Sequence, residues 1–147
     1  MKGENFQLST FNSQLVECVP NFSEGRNIET INAIADAIRS VDGVRVLHVD
    51  RGEAANRTVI TFVGPAGAVV EAAFRMVRCA SECIDMRTHQ GEHPRIGATD
   101  VLPLIPLKNI TLEECAQLAR VLAERIDKEL DIPTYCYEAA AYLTEHV

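Results

Sequence analysis

The sequence predicts an α/β sandwich on a ferredoxin-like split β-α-β core, and three observations carry that prediction. Runs of β-branched residues alternate with runs whose apolar positions recur at helical spacing. Glycines and prolines fall between the runs, where they interrupt regular structure. The resulting order is β-α-β-β-α-β-α-β, whose first six elements are those of the split β-α-β sandwich. That order implies a mixed or antiparallel sheet with helices on one face, extended by a C-terminal helix and strand.

Leu15 to Val19 reads as a short strand closed by Pro20-Asn21. Ile28, Ile31, Ile34, Ala35, Ile38 and Val41 form the apolar stripe of a first helix, with Gly43 as its C-terminal cap. Val44 to Asp50 and Thr58 to Val63 are β-branched runs, hence two strands joined by the loop Gly52 to Asn56. Pro65 opens a second helix whose apolar face is Val69, Val70, Ala73, Phe74, Val77 and Ala80. Val101 to Pro106 carries two prolines that cannot donate ladder hydrogen bonds, so it is expected at the sheet edge. Thr111-Leu112-Glu113-Glu114 is a capping box that starts a third helix through Leu112, Cys115, Leu118, Ala119, Leu122 and Ile126. Pro133 to Tyr137 is expected as a last strand, and Glu138 to Glu145 as the start of a helix. Residues 1–14 are expected to form a disordered tail, and residues 15–147 a single domain without linker or repeat.

The chain has 147 residues, 47% of them hydrophobic, which suffices for one core. With no Trp, five Phe and three Tyr, that core must be mainly aliphatic. No apolar run approaches the roughly 18 residues of a membrane span. The polar Met1 to Ser13 lacks the apolar run of a secretory signal. The five cysteines are odd in number and mostly sit in apolar runs, so reduced thiols and a cytoplasmic location are expected. Cys79 and Cys83 share a helix face, but no nearby His or Cys completes four metal ligands, so both read as small buried hydrophobes.

A net charge of −7 argues against nucleic acid as a partner. The charge is uneven: Glu113 to Glu145 is acidic, whereas Arg45 to Arg95 is arginine-rich. Arginine grips carboxylates bidentately, so a local anion site is consistent with an acidic chain. Arg75, Arg78, Arg120 and Arg125 are set aside as residues that solvate helix faces.

The densest chemistry lies in His89-Gln90-Gly91-Glu92-His93-Pro94-Arg95-Ile96-Gly97. His89 to His93 spells H-x-x-E-H, a zinc-peptidase pattern, yet that chemistry needs a continuous ligand helix. Gly91 and Pro94 oppose one, so no metal is expected and a zinc hydrolase stays only as a remote alternative. Alternatively His93 shuttles a proton while Arg95 holds an anionic group, or the loop is structural and His93 bonds a backbone carbonyl. His48 and Asp50 alternate on one strand face, where Asp50 orients an imidazole, holds an amine or is simply solvated. Asn21 to Asn27 runs into a helix N-terminus and reads as an anion site through its free N–H groups, with Asn27 as the cap.

Taken together, Leu15 to Asn27, Asn56-Arg57-Thr58 with Phe62-Val63-Gly64, Ile84-Asp85-Met86 and Gly91 to Ala98 resemble the N-terminal subdomain of glutamate formiminotransferase. The likeness runs from about Leu15 to Ala140. It implies a ferredoxin-like subdomain that moves a formimino group from N-formiminoglutamate to tetrahydrofolate, a co-substrate, within histidine metabolism. It assigns the acid–base role to the histidine of Gly91-Glu92-His93-Pro94-Arg95, which here is His93. We add Asp50 beside it as catalytic, Arg57 and Arg95 as the groups that bind substrate carboxylates, and Asn21 and Glu92 as further substrate-binding residues. Gln90 stands where the family usually has a second histidine. Family transferases continue into a second subdomain, so this chain is expected to expose apolar surface for a complementary subdomain or a second copy. Two classes of function follow from that difference: a formimidoyl transferase, or a folate-binding or interaction module without turnover. Neither class calls for a membrane.

Overall fold

A computed structural model describes residues 14–84, 98–136 and 142–145. Among them one antiparallel sheet carries the fold. Strands β1 (Leu15–Cys18) and β2 (Asn21–Phe22) form a single line, and both pair with β4 (Arg57–Pro65) on one side and β5 (Thr99–Lys108) on the other. Strand β3 (Arg45–Gly52) pairs with the outer edge of β4. Beyond β5 lie β7 (Tyr142–Glu145) and then β6 (Thr134–Cys136). The order across the inner strands, β3-β4-β1-β5, is that of the ferredoxin-like sandwich.

The crossover helices α1 (Ile28–Arg39) and α2 (Ala66–Cys83) pack on each other, and α3 (Leu112–Leu130) packs on α2. All three cover one face of the sheet. Strand β4 alternates strictly between buried and half-exposed residues, the pattern of a sheet with one covered face. Val16, Cys18, Phe22, Ile60, Phe62, Leu102 and Leu104 point into the core from the strands. Ile34, Ile38, Val69, Phe74, Met76 and Leu122 meet them from the helices. Among the described residues no helix or strand covers the opposite face.

Several expectations need correction. The first strand does not end at Pro20-Asn21 but resumes as β2 after a break. At the break Val19 N–H donates to Pro103 O (3.1 Å) and Ile60 N–H to Pro20 O (3.1 Å), so the line of pairing survives the missing proline N–H. The proline-containing β5 is an interior strand, not an edge. Its prolines sit where the ladder is already interrupted: Pro103 lies opposite the β1–β2 break. Pro106 adjoins the register shift at Leu15/Val16 and lies beyond the β7 pairing, which covers Val101 to Pro103. The expected terminal helix from Glu138 is also corrected, because Tyr142 to Glu145 is a strand. Tyr142 to Glu145 pairs with the otherwise open edge of β5, while residues 138–141 lie outside the described residues. The expected tail falls outside the described residues apart from Gln14, whose carbonyl accepts from Ala66 N–H (2.8 Å).

Two arginines set aside as solvating do structural work. Glu71 of α2 accepts from Arg75 Nε (2.8 Å) and from Arg125 of α3 (2.6 Å), and Arg125 also donates to Glu129 (3.1 Å). The Arg125 guanidinium lies 3.7 Å from the Phe74 ring centroid, a cation–π contact, and Arg75 reaches Ser40 at the end of α1 (3.0 Å). The Arg125 hydrogen bond foremost, and then that of Arg75, holds the Glu71 carboxyl below its ordinary range. Three helices are thereby pinned by one carboxylate. The cysteine reading is corrected too: Cys83 is exposed and Cys79 half-buried, because the last turn of α2 reaches the rim of the core.

Candidate functional site

One end of the sheet gathers the loop Ser23 to Asn27, the β3–β4 turn and the point where the chain returns from residues 85–97. These segments are held by specific bonds. Gly25 N–H donates to Asn56 Oδ1 (2.8 Å), and Thr58 Oγ1 donates to the Glu24 carbonyl. Arg26 Nε donates to Glu53 O (3.1 Å) across the same seam. Asn56 can aim its side chain this way because it takes the left-handed conformation (φ 56°) that closes the turn. A Cβ on Gly25 would lie 2.6 Å from Arg57 N and 2.8 Å from its carbonyl oxygen, and closer still to Gly52 O. Only glycine permits this approach. On the other flank, Ser23 N–H donates to Ala98 O (2.8 Å), so the residue directly after the 85–97 segment is tied to the same loop.

The expected anion site in this loop is not open. Glu24 Oε2 accepts from the N–H groups of Arg26 (3.0 Å) and Asn27 (2.9 Å), and Asn27 Oδ1 accepts from Thr30 N–H (3.2 Å) as the α1 cap. With Gly25 engaged by Asn56, three successive N–H groups of the loop, those of Gly25, Arg26 and Asn27, already hold acceptors from the chain itself. A carboxylate of the protein occupies the role assigned to a ligand.

The polar candidates instead meet on the open face. Register places Asp50, Val59, Asn21 and Val101 in one row across β3, β4, β2 and β5. With strands about 4.8 Å apart, Asp50 and Asn21 lie on the order of 10 Å apart, on either side of Val59. Arg57 projects from the same face two residues earlier on β4, opposite Gly52. His48 stands one row further down, opposite Thr61. A bulge at Leu47, whose side chain is 53% exposed, switches the alternation: Val46 stands opposite buried Phe62, whereas His48 and Asp50, two residues apart, share the other face. Val59, Val101 and Pro103 separate these polar groups, and Thr61, Glu17 and Arg45 share the face further along. A groove of about 240 Å³ lies at the other end, lined by Leu15, Val63, Gly64, Pro65, Leu107 and Arg45. None of the candidate residues lines it.

His93, Arg95 and Glu92 lie outside the described residues, as does the H-x-x-E-H string from His89. Among the described residues, no group of three His, Cys, Asp or Glu side chains is gathered as a metal ion requires. Nor is any helix there long and apolar enough to cross a membrane. Sequence reasoning missed Gly25, Glu24, Asn56 and Thr58 as the parts that fix the loop to the turn. An asparagine between two strands was the available signal, since it favours the left-handed turn position.

The fold and site define a ferredoxin-like α/β subdomain whose described elements leave one sheet face uncovered, with Asn21, Asp50 and Arg57 at the end where three segments converge. Comparison with known proteins is specific: a family model described as "Formiminotransferase domain, N-terminal subdomain" matches residues 15–147. The chain is 53% identical over 127 residues to the glutamate formimidoyltransferase of Thermoplasma acidophilum, covering 86% of this chain and 42% of that protein. It is 52% identical over 131 residues to the formimidoyltransferase-cyclodeaminase of Rattus norvegicus, covering 89% of this chain and 24% of that one. A formiminotransferase cyclodeaminase-like protein of Arabidopsis thaliana is 31% identical over 128 residues, covering 84% of this chain and 43% of its own length. The chain belongs to the formiminotransferase N-terminal subdomain family. It spans between about a quarter and two-fifths of the length of these relatives.

Proposed function

We propose that this subdomain takes part in formimidoyl transfer from N-formiminoglutamate to tetrahydrofolate, with His93 as the acid–base. One observation supports the reading most: family strings some thirty residues apart, Asn21 to Asn27 and Asn56 to Thr58, are latched together by Gly25–Asn56 and Thr58–Glu24 hydrogen bonds. The same loop is bonded to Ala98, next to the His93 segment.

In this mechanism the folate nitrogen attacks the formimino carbon, and His93 accepts the proton that the nitrogen sheds. The new C–N bond forms as the bond to the glutamate nitrogen breaks, and the imidazolium returns its proton to that departing amine. Arg57 and Arg95 hold substrate carboxylates bidentately. Asn21 and Glu92 supply further polar contacts, and Asp50 orients the imidazole or the leaving amine. Tetrahydrofolate is a co-substrate, and no metal enters the reaction. The apolar open face around Val59, Val101 and Pro103 is the surface on which a complementary subdomain, or a second copy, closes the site. Closing it excludes water and positions the two substrates, which is where much of the rate enhancement arises. We place this chemistry in the cytoplasm.

The test is formimino transfer from formiminoglutamate to tetrahydrofolate by the purified chain, alone and with the remainder of a family transferase added, beside His93→Ala. Turnover that vanishes in His93→Ala is the expected result. Absence of turnover under both conditions overturns the transferase reading and leaves a binding or interaction module. Equal turnover in the variant removes His93 from the role.

A further inference from the structure

The Cys79–Cys83 pair lies outside the candidate site, and nothing in the proposed reaction uses it. Its sulfurs are 3.7 Å apart on the last turn of α2, both thiols are free, and Cys83 faces solvent. Two sulfurs bound at about 2.3 Å to one centre, at an angle of roughly 100–110°, stand roughly 3.5–3.8 Å apart, so the pair already has the bite of a chelate. The helix also keeps the pair from closing on itself. Residues four apart on a helix hold their Cβ atoms about 5–6 Å apart, whereas a disulfide requires about 3.5–4.5 Å. Burial, and then the hydrogen bond shared with Cys83, pushes the Cys79 thiol up to about 11, so it rests as a thiol and not as a readily oxidised thiolate. Oxidation is thus opposed by geometry and by protonation, and the two thiols persist side by side.

The donor count selects the ligand. Zinc asks for four donors, and among the described residues no third His, Cys, Asp or Glu joins these two. A centre that needs only two sulfurs, because it brings its remaining ligand with it, is satisfied here. We propose that Cys79 and Cys83 form a dithiol site for trivalent organoarsenicals and similar thiophilic three-coordinate centres. With phenylarsine oxide the step is a condensation: two S–H bonds give way to two As–S bonds, the arsenic-bound oxygen leaves as water with both protons, and arsenic stays trivalent.

The experiment treats the reduced chain with one equivalent of phenylarsine oxide and follows the adduct by intact-mass spectrometry. Excess monothiol or dithiol competitor is then added. The expected result is a single adduct that survives the monothiol and is removed by the dithiol. Cys83→Ser, an exposed substitution, should lower the monothiol concentration needed for removal by about 100-fold or more, because the second As–S bond is intramolecular in the wild type. Cys79→Ala should do the same, with helix content followed by circular dichroism as a check on folding. An adduct released equally by monothiol in wild type and Cys83→Ser overturns the proposal. So does retention that is unchanged in Cys83→Ser, which would assign the arsenical to the remaining cysteines.

Discussion

Replacing Gly25 by alanine tests the latch that builds the candidate site. The added Cβ would stand 2.6 Å from Arg57 N and 2.8 Å from Arg57 O, with Gly52 O nearer still. All three are backbone atoms of the paired β3–β4 hairpin, so none can swing aside as a side chain would. The loop must lift away, and with it goes the bond from Gly25 N–H to the 8%-exposed Asn56. An unmet buried polar group costs about 1–3 kcal/mol, and forced overpacking about 1–3 kcal/mol. The sum, about 2–6 kcal/mol, corresponds to a fall in Tm of about 6–18 °C for a chain of this size. Thermal unfolding followed by far-UV circular dichroism measures it. Gly67→Ala is the matched control, because nothing lies within 4 Å of its Cβ and it sits in a helix, where alanine is neutral or favourable by up to about 1 kcal/mol. A Gly25→Ala chain that melts within about 3 °C of wild type would refute the steric argument and with it the latch.

Two further outcomes follow from the helical layer. Glu71 has a folded pKa below its ordinary value, so its ion pairs stabilise the fold above about pH 4.5 and that contribution is lost as pH falls through the depressed value. Urea unfolding across pH 3 to 7 should show wild type ahead of Glu71→Gln by roughly 0.5–1 kcal/mol at neutral pH and converging with it in acid; a constant gap sinks the assignment. Thr111 Oγ1 accepts from Glu114 N–H (3.0 Å) while Glu114 accepts from Thr111 N–H (2.9 Å). Thr111→Ala should therefore cost about 1 kcal/mol in denaturant unfolding, and a neutral result would show that the first turn of α3 needs no cap.

The parts of the fold legible in the sequence were those governed by local rules. The stripe Ile31, Ile34, Ile38 marked α1, and the Thr111–Glu114 box marked the start of α3, because periodicity and capping act within a few residues. What stayed illegible depended on neighbours distant in sequence. Proline in β5 argued for an edge until the Val19–Pro20 break and the short β7 showed where its missing donors fall. Tyr142 to Glu145 became a strand because β5 had an open edge for it, not through its own composition. Cys83 appeared buried because a run of residues does not reveal which turn of a helix overhangs the core.

The candidate site divides in the same way. The residue types were visible, since Asp50, Arg57, Asn21 and the His93 string carry groups that few purely structural positions require. Which of them share a face was not visible. The row through Asp50, Val59, Asn21 and Val101 exists because four strands align in register, and register is decided by pairing across the whole sheet. Likewise the N–H groups of the Asn21 to Asn27 loop looked available for an anion, and only packing against the β3–β4 turn showed Glu24 and Asn56 already holding them. The sequence by itself determined the three helices, the main inner strands and the chemistry at hand, because these follow from side-chain pattern. Tertiary structure alone decided which donors remain open and which carboxylates, amides and guanidinium groups face the same space, because hydrogen bonds across thirty residues cannot be read from local spacing.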